Sequence, residues 1–408
     1  MLRQGRDWGR TARRTLGGLL VLGGVAAGAT GAAAQNAPPA PAGEIVEPAK
    51  LPFDESLLGR LWVPAGFWID VWARDLGNVR MLAAAPDGTL YATRREQGDV
   101  LALRDTDNDG RADDIRVVAA GLKLVHGLAL HDGRIYLATD TKVLRAPILG
   151  DGSLGALETL IDDLPDAGQH PNRTLAIGPD GNLYLTVGST CNACDESNPA
   201  SGTIQVATAD GKNRHAFASG LRNTIGFGWH PATGELWGFD HGADWRGNDQ
   251  PPEELNLLQA DRNYGWPWCF GDRQVDPYIP NQPKGSTKAA FCAASAPPVL
   301  TYTAHSAPIG MVFYDRGQFP AEYRGDAFVA MRGSWNRNPP AGYKVVRVRY
   351  QNGWPVGVED FLSGFLFDTP QGPAQFGRVA GLAVAPYGSL FLSDDSNGVI
   401  YRISWAGK

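Results

Sequence analysis

The chain of 408 residues lacks several features that mark common classes of protein. It carries 37 basic and 43 acidic side chains, and the absence of excess positive charge argues against nucleic acid or an anionic membrane as a partner. No segment keeps the apolar period of a long helix, which favours an all-β protein. Beyond residue 34, no apolar run is long enough to span a bilayer.

The first 34 residues predict a signal peptide. Residues 1–14 hold five arginines and one acidic residue, an uncharged Gly- and Ala-rich stretch follows from Thr15, and small residues end at Ala34. These are the basic, apolar and cleavage-site regions of an export signal. A membrane anchor is the alternative, but such a stretch partitions weakly into a bilayer. Cleavage would leave 32 basic and 42 acidic side chains, a net charge of −10, in a periplasmic or secreted protein.

Two regions follow the predicted signal peptide. Residues 35–50 are rich in Pro and Ala and are expected to form a flexible linker. Residues 51–408 contain no further linker and are predicted to form one catalytic domain, with a length that suits a repeat architecture. The pair Arg13-Arg14 leaves both the general secretory route and twin-arginine export open.

The four cysteines suggest disulfides rather than metal or haem binding. An even number in an exported chain predicts two bridges, and the most economical pairing is Cys191–Cys194 with Cys269–Cys292. A zinc site at Cys191 and Cys194 is the alternative, but no second ligand pair has suitable spacing. Covalent haem would need a histidine directly after Cys194, where Asp195 stands.

A short phrase recurs six times: a turn containing Gly, followed by a strand of alternating apolar residues. The phrases occupy residues 86–91, 131–136, 179–184, 233–237, 324–328 and 386–391. Turns of this kind suit tight hairpins, and a second strand follows each phrase. The spacing, mostly about 45–60 residues, is that of one four-stranded blade. We therefore predict a six-bladed β-propeller, with an insertion within residues 244–305 and a strand at residues 67–73 that closes the ring.

Polar residues lie at the loops that enter or leave these predicted strands. Loops from several blades meet at the axial channel of a propeller, so one histidine and several arginines at equivalent positions would converge on one pocket. A ring of cations suits a polyanionic small molecule. The candidates are His126, His170, Arg222, Asn223, Asp240, His241, Asp244, Arg332 and Arg378.

Several separated runs of sequence are more specific together than any loop residue alone. They are His170-Pro171-x-Arg173-Thr174-Leu175, Leu221-Arg222-Asn223, Asn263-Tyr264-Gly265-Trp266-Pro267, His305-Ser306-Ala307-Pro308, Gly333-Ser334-Trp335-Asn336-Arg337, and Gly377-Arg378 through Ser393-Asp394. In these runs and their order the chain resembles the quinoprotein sugar dehydrogenases. It is closer to sorbosone dehydrogenase than to soluble glucose dehydrogenase, and the resemblance covers residues 51–405.

The resemblance implies a six-bladed propeller that binds pyrroloquinoline quinone with calcium. The family's base falls on His170, which would take the proton of a substrate hydroxyl while hydride leaves the carbon for the quinone. An imidazole suits this role because its ordinary pKa lies near neutral pH. Arg222 would stabilise the negative charge that develops on the quinone oxygen. The other residues expected to meet the cofactor are Asn223, Arg332, Arg337, Arg378 and His126.

Two calcium sites are expected. The resemblance implies that the cofactor calcium takes main-chain carbonyls from a Gly-Pro step, which reads Gly242-Ala243 here; Asp244 offers a carboxylate instead. A separate loop has calcium-binding spacing with Gly at its sixth position, but Arg116 replaces the usual final Glu. A structural calcium and a bare acidic turn both stay open there. The carboxylates of this loop come from Asp105, Asp107, Asp109 and Asp113.

Three functions stay open. The first is a dehydrogenase of a small sugar or sugar-derived aldehyde that passes electrons to a separate carrier. The second is a lactonase that uses calcium held by Asp240, Asp244 or Asn223, with His170 as base. The third is a binding propeller without chemistry. A ring of cations separates these functions, because only a cofactor with three carboxylates requires it.

Overall fold

The computed structural model describes residues 38–165 and 168–407, so the predicted signal peptide lies outside the described residues. The described residues form mainly β-strands. The first strands are β1 (Ala49–Lys50), β2 (Phe67–Ala73), β3 (Val79–Ala84), β4 (Leu90–Arg94), β5 (Asp99–Arg104), β6 (Asp114–Ala119), β7 (Gly127–His131), β8 (Arg134–Ala138), β9 (Val143–Pro147), β10 (Glu158–Ile161), β11 (Leu175–Ile177), β12 (Leu183–Val187), β13 (Thr203–Ala207), β14 (His215–Ser219) and β15 (Phe227–Trp229). The later strands are β16 (Leu236–Asp240), β17 (Glu253–Leu258), β18 (Arg262–Asn263), β19 (Cys269–Phe270), β20 (Gln274–Val275), β21 (Leu300–Tyr302), β22 (Pro308–Phe313), β23 (Ala327–Met331), β24 (Lys344–Gln351), β25 (Trp354–Leu362), β26 (Leu366–Thr369), β27 (Gly372–Gln375), β28 (Val379–Val384), β29 (Leu390–Asp394) and β30 (Val399–Trp405).

Helices are few and short. The α-helix α1 spans Lys288–Ala294, and 3-10 helices span Glu55–Arg60 and Ala321–Tyr323. Within the residues that the structure describes, no helix has the length and apolar character needed to cross a membrane.

Six sheets of four or five strands make up most of the described chain. Their strand orders are β3-β4-β5-β6, β10-β9-β8-β7, β11-β12-β13-β14-β18, β15-β16-β17-β21, β22-β23-β24-β25 and β2-β30-β29-β28. Each predicted repeat phrase runs into the second strand of one sheet: β4, β8, β12, β16, β23 or β29. The strand that was predicted to follow each phrase is the third strand, as β5 and β24 show.

The first repeat shows why the phrase makes a hairpin. Gly88 adopts a φ of 89°, a left-handed conformation that glycine takes without steric cost. The carboxylate of Asp87 accepts the backbone N–H of Thr89 at 3.0 Å, which closes the turn between β3 and β4. The two strands then pair antiparallel, with Ala84 opposite Leu90.

The last sheet combines both ends of the domain. Strand β2 pairs antiparallel with β30, with Phe67 opposite Trp405, so the predicted closing strand is confirmed. Hydrophobic clusters lie between successive sheets, and a further cluster joins the last sheet to the first through Trp72, Phe391 and Leu101. This cyclic packing is consistent with the predicted β-propeller.

The predicted insertion is narrower than residues 244–305, because β17 and β21 belong to the fourth sheet itself. The added segment lies between them and contains the β19–β20 hairpin and α1. Cys269 and Cys292 join these two elements, so this disulfide is confirmed. The bridge packs beside Trp268 in a small core of its own.

The end of the predicted flexible linker is docked on the domain. Strand β1 pairs parallel with β27, and the N–H of Val46 donates to the carbonyl of Trp335 at 3.0 Å. The Asn338 amide donates to the Glu44 carboxylate at 2.7 Å. These hydrogen bonds hold residues 44–50, although the Pro- and Ala-rich composition predicts a flexible chain.

Candidate active site

A cavity of about 540 Å³ opens where the loops of several sheets meet. This volume lies in the range of small-molecule and cofactor sites. The structure brings most of the predicted loop residues together here. The predicted residues that line the cavity are His170, Arg222, Asn223, His241, Gly242, Asp244, Arg332 and Arg378.

Four other predicted residues, His126, Asp240, Ala243 and Arg337, do not line the cavity. His126 is fully buried, its Nδ1 is 3.2 Å from the carbonyl of Arg173, and burial lowers its pKa well below the ordinary 6.5. Arg337 forms an ion pair with Asp249 at 2.7 Å. Ala243 is buried beside the lining residue Gly242.

Buried aspartates hold the cationic loops at the start of two sheets. At the end of β16, Asp240 accepts the backbone N–H groups of Arg222 and Asn223 at 2.8 and 2.9 Å. At the end of β29, Asp394 accepts the N–H of Arg378 at 2.8 Å, and burial raises its pKa to about 6. A carboxylate that accepts several N–H groups fixes the loop from which they come.

Four arginines border one side of the cavity: Arg80, Arg95, Arg332 and Arg378. Asp395 pairs with Arg80 at 2.7 Å and with Arg332 through two contacts of 2.9 and 3.0 Å. Burial, together with the neighbouring arginines, lowers the pKa of Arg80 to about 10. Among the described residues, Arg95 and Arg378 form no ion pair. The cluster therefore has positive charge that these residues do not balance, and such a surface suits an anion with several carboxylates.

His170, which also lines the cavity, has a defined tautomer. Nδ1 of His170 lies 2.8 Å from the carbonyl oxygen of Ser189 and 2.9 Å from its hydroxyl. A carbonyl only accepts, so Nδ1 carries the proton and Nε2 keeps its lone pair. Burial, and then the charge of Arg222, lowers the pKa of His170 to about 2. The expectation of a pKa near neutral pH is therefore wrong for this protein, because the imidazole is desolvated beside a cation.

The main-chain turn after β16 offers oxygens for a cation. Gly242 donates its N–H to the Glu253 carboxylate at 3.1 Å, and the other oxygen of Glu253 accepts from Ala307 at 2.8 Å. Within the described residues, the carbonyls of Gly242 and Ala243 accept no hydrogen bond. The side-chain oxygen of Asn223 is buried and also has no donor among these residues. Neutral oxygens of this kind are ligands for calcium.

Both carboxylate oxygens of Asp244 accept hydrogen bonds, and each oxygen keeps a further lone pair. One carboxylate oxygen accepts from Arg222 at 2.9 Å and the other from Asn336 at 2.8 Å. The carboxylate of Asp240 is likewise occupied by three donors, including the Thr224 hydroxyl at 2.8 Å. Among the oxygens of this turn, the carbonyls of Gly242 and Ala243 are thus the least engaged by other groups of the described residues.

Several residues of the site were not among the candidates predicted from the sequence. Arg95 directly follows β4, as Arg332 directly follows β23, so the rule that identified Arg332 would also have found Arg95. Arg80 lies at the start of β3, beside the entering loop. Trp335 also lines the cavity, but in the sequence it is notable only as part of a run that resembles the family. Asn192 reaches the site from a disulfide loop, and no sequence signal indicates its contacts.

The second predicted disulfide is also confirmed. Cys191 and Cys194 are bonded to each other, so these thiols do not form the alternative zinc site. The cluster of Cys191, Cys194 and Glu196 therefore contains one bridge and one carboxylate.

The acidic loop between β5 and β6 lies apart from the residues that line the cavity. Carboxylate oxygens of Asp105, Asp107 and Asp109 all lie within 4.8 Å of one another. Asp113 instead accepts the N–H and hydroxyl of Thr106 at 2.7 and 2.5 Å. Three of the four predicted ligands therefore converge, and we propose this loop as a structural calcium site.

We expect Asp107→Ala to lower the melting temperature by a few degrees in calcium, because a bound ion stabilises the folded state and loses a ligand. After chelation, the variant and the parent should melt alike. Thermal unfolding with and without chelator measures this, and Asp162→Ala, at an exposed position after β10, is the matched control. Equal melting temperatures in calcium would identify the loop as an ordinary turn.

A family model described as TrAA12-like matches residues 61–406. The chain therefore belongs to the TrAA12-like family.

Named relatives support the resemblance drawn from the sequence runs. The aldose sugar dehydrogenase YliI of Escherichia coli is 29% identical over 196 residues, which cover 48% of this chain and 45% of that enzyme. The pyrroloquinoline quinone-dependent pyranose dehydrogenase of Coprinopsis cinerea is 26% identical over 337 residues, 72% of this chain and 43% of that enzyme. This chain thus spans less than half the length of both enzymes. The resemblance is confirmed, since these relatives are oxidoreductases of sugars.

A solved structure extends the likeness to the fold. The holo form of the pyranose dehydrogenase quinone domain from Coprinopsis cinerea has a TM-score of 0.71 at 22% identity, and the match covers 84% of this chain and 97% of that domain. The two chains therefore share one fold over nearly their whole matched length.

Proposed function

We propose that this protein is an exported dehydrogenase that oxidises a sugar or a sugar-derived aldehyde with pyrroloquinoline quinone and calcium. The six sheets would be the six blades of its propeller. The single observation that carries the proposal is the cluster of Arg80, Arg95, Arg332 and Arg378, which shares one cavity with His170 and Arg222.

The residues present fit both groups. The arginine cluster has more positive charge than Asp395 balances, as a cofactor with three carboxylates requires. The unshared oxygens of Gly242, Ala243 and Asn223 suit calcium, which prefers neutral and anionic oxygen ligands. When bound, the quinone supplies the two-electron acceptor for hydride.

The chain's own residues supply the remaining chemistry. Nε2 of His170 is the unprotonated nitrogen and takes the proton of the substrate hydroxyl, while hydride leaves the carbon. Arg222 places a positive charge where negative charge develops during the transfer. The low pKa of His170 keeps the imidazole neutral before the reaction, so the lone pair is available at neutral pH.

The sequence and the cysteines support an exported protein that uses a separate electron carrier. A cleaved export signal and two disulfides suit a periplasmic or secreted protein. Since the sequence has no covalent haem motif, the two electrons would leave to a separate carrier. The lactonase alternative has less support, because a lactonase requires metal ligands but no cluster of arginines with unbalanced positive charge.

Reconstitution tests the proposal. We expect purified protein, freed of metal, to reduce a dye with a sugar only after pyrroloquinoline quinone and calcium are both added. Chelator and quinone-free samples are the controls, and sugar lactones are tested in parallel. Lactone hydrolysis without quinone, and no dye reduction with it, would contradict the dehydrogenase and favour the lactonase.

A further inference from the structure

We propose that the Cys191–Cys194 disulfide loop positions the catalytic groups, and that Asn192 is its principal positioning residue. The inference rests on the proposed function. Residues 189–194 form neither helix nor strand in the structure, yet they contact both Arg222 and His170. A loop of this kind sets geometry only if its own conformation is fixed.

Asn192 holds the arginine of the site in one orientation. Its backbone carbonyl accepts from Nε of Arg222 at 2.9 Å, and its side-chain oxygen accepts from Nη2 of the same guanidinium at 2.9 Å. Nη2 also donates to Asp244 at 2.9 Å. The protein thus binds one edge of the planar guanidinium, and Nη1 makes no hydrogen bond among the described residues. Arg222 is left with one free donor group in a side chain that lines the cavity.

The same side chain fixes the turn that carries the proposed calcium ligands. The side-chain oxygen of Asn192 accepts the N–H of Asp244 at 2.7 Å, and its amide nitrogen donates to the carbonyl of Asp244 at 3.0 Å. These two hydrogen bonds hold Asp244, which directly follows Gly242 and Ala243. One asparagine therefore sets the relative position of the arginine and the carbonyl turn.

The loop also holds the base. The hydroxyl of Ser189 donates to the carbonyl of Cys191 at 2.8 Å, so it accepts from Nδ1 of His170. On the other side of the bridge, Glu196 accepts the N–H and the hydroxyl of Thr190. The disulfide closes the loop between these anchors and restricts the backbone on which Asn192 stands. Loss of the bridge would release several contacts together.

The test compares Asn192→Leu with Asn182→Leu, which removes an amide from a hairpin turn outside the cavity. We expect Asn192→Leu to lower kcat by about 10- to 100-fold and to change the KM for sugar far less. The absorbance spectrum of the bound quinone should also shift, because the charge beside it is no longer held in place. Asn182→Leu should keep the parent's kcat and spectrum.

The disulfide is tested with its own control. Cys191→Ser with Cys194→Ser should lower kcat as Asn192→Leu does, at a temperature where the protein stays folded by circular dichroism. Cys269→Ser with Cys292→Ser removes the bridge that closes the longer loop, so it should lower the melting temperature more and kcat less. If the parent itself reduces no dye, the proposed function fails and this inference fails with it. If the parent is active and Asn192→Leu has the parent's kcat and spectrum, only the positioning role is overturned.

Discussion

His170→Ala is expected to lower kcat by about 10²- to 10⁴-fold while quinone and calcium stay bound. Hydride cannot leave an alcohol carbon easily unless the hydroxyl proton is removed in the same step, since a free alkoxide is too unstable at neutral pH. In this site Nε2 of His170 has the required lone pair, because Nδ1 is committed to Ser189. Steady-state dye reduction with saturating cofactor measures the change, and quinone titration shows that binding persists.

The pH dependence provides an independent check on the same residue. A neutral imidazole acts as base, and protonation removes it only as the pH falls to its pKa. Burial and Arg222 lower that pKa from 6.5 to about 2, so kcat/KM should show no His170 ionisation near 6.5. His131→Ala, at the end of β7 and outside the cavity lining, is the matched control and should follow the parent. An ionisation near 6.5 that disappears in His170→Ala would contradict the burial argument.

Arg378→Ala is expected to weaken quinone binding by roughly 30- to 5,000-fold, the range that corresponds to about 2–5 kcal/mol for the loss of one partner from a desolvated charge pair. Arg378 has no ion pair among the described residues, and its own hydrogen bonds go to the carbonyls of Arg332 and Gly333. The substitution therefore removes a charge for the ligand without leaving a buried carboxylate unpaired.

Titration of metal-reconstituted protein with quinone, followed by absorbance, measures this loss. Arg349→Ala, at an exposed position of β24 beside Glu359, is the matched control and should bind quinone like the parent. Unchanged affinity in Arg378→Ala, with the fold intact by circular dichroism, would remove this arginine from the cofactor site.

The fold was largely predictable because each blade repeats one local signal. The Asp-Gly type of turn and the alternating strand after it depend on neighbours in sequence, so β4 and β29 fall where their phrases place them. Arg332 and Arg378 lie in loops next to the predicted strands, so their presence in one cavity was also predictable. The same reasoning, applied to the residue after β4, would have predicted that Arg95 lines the cavity.

Other features depend on contacts between distant loops and have no local signal. Asn192 forms hydrogen bonds with Arg222 and Asp244. The spacing of the two cysteines alone does not predict these hydrogen bonds. Arg337 ends one of the matching runs but pairs with Asp249 outside the cavity lining. The low pKa of His170 arises from burial, which depends on how the surrounding loops pack.

The pairing of β2 with β30 joins the two ends of the domain, so the contacts between the last sheet and the first depend on residues far apart in the sequence. Arg80 from the first sheet meets Asp395 from the last, at a sequence separation of 315 residues. Contacts of such separation form late, because the chain must first lose the entropy of closing a very long loop. The arginine cluster therefore forms only when the last sheet is present, and no fragment that ends before this sheet can assemble it. A ligand that binds only this final state would stabilise the closed ring by mass action, so binding of the proposed cofactor and closure of the ring would be thermodynamically linked.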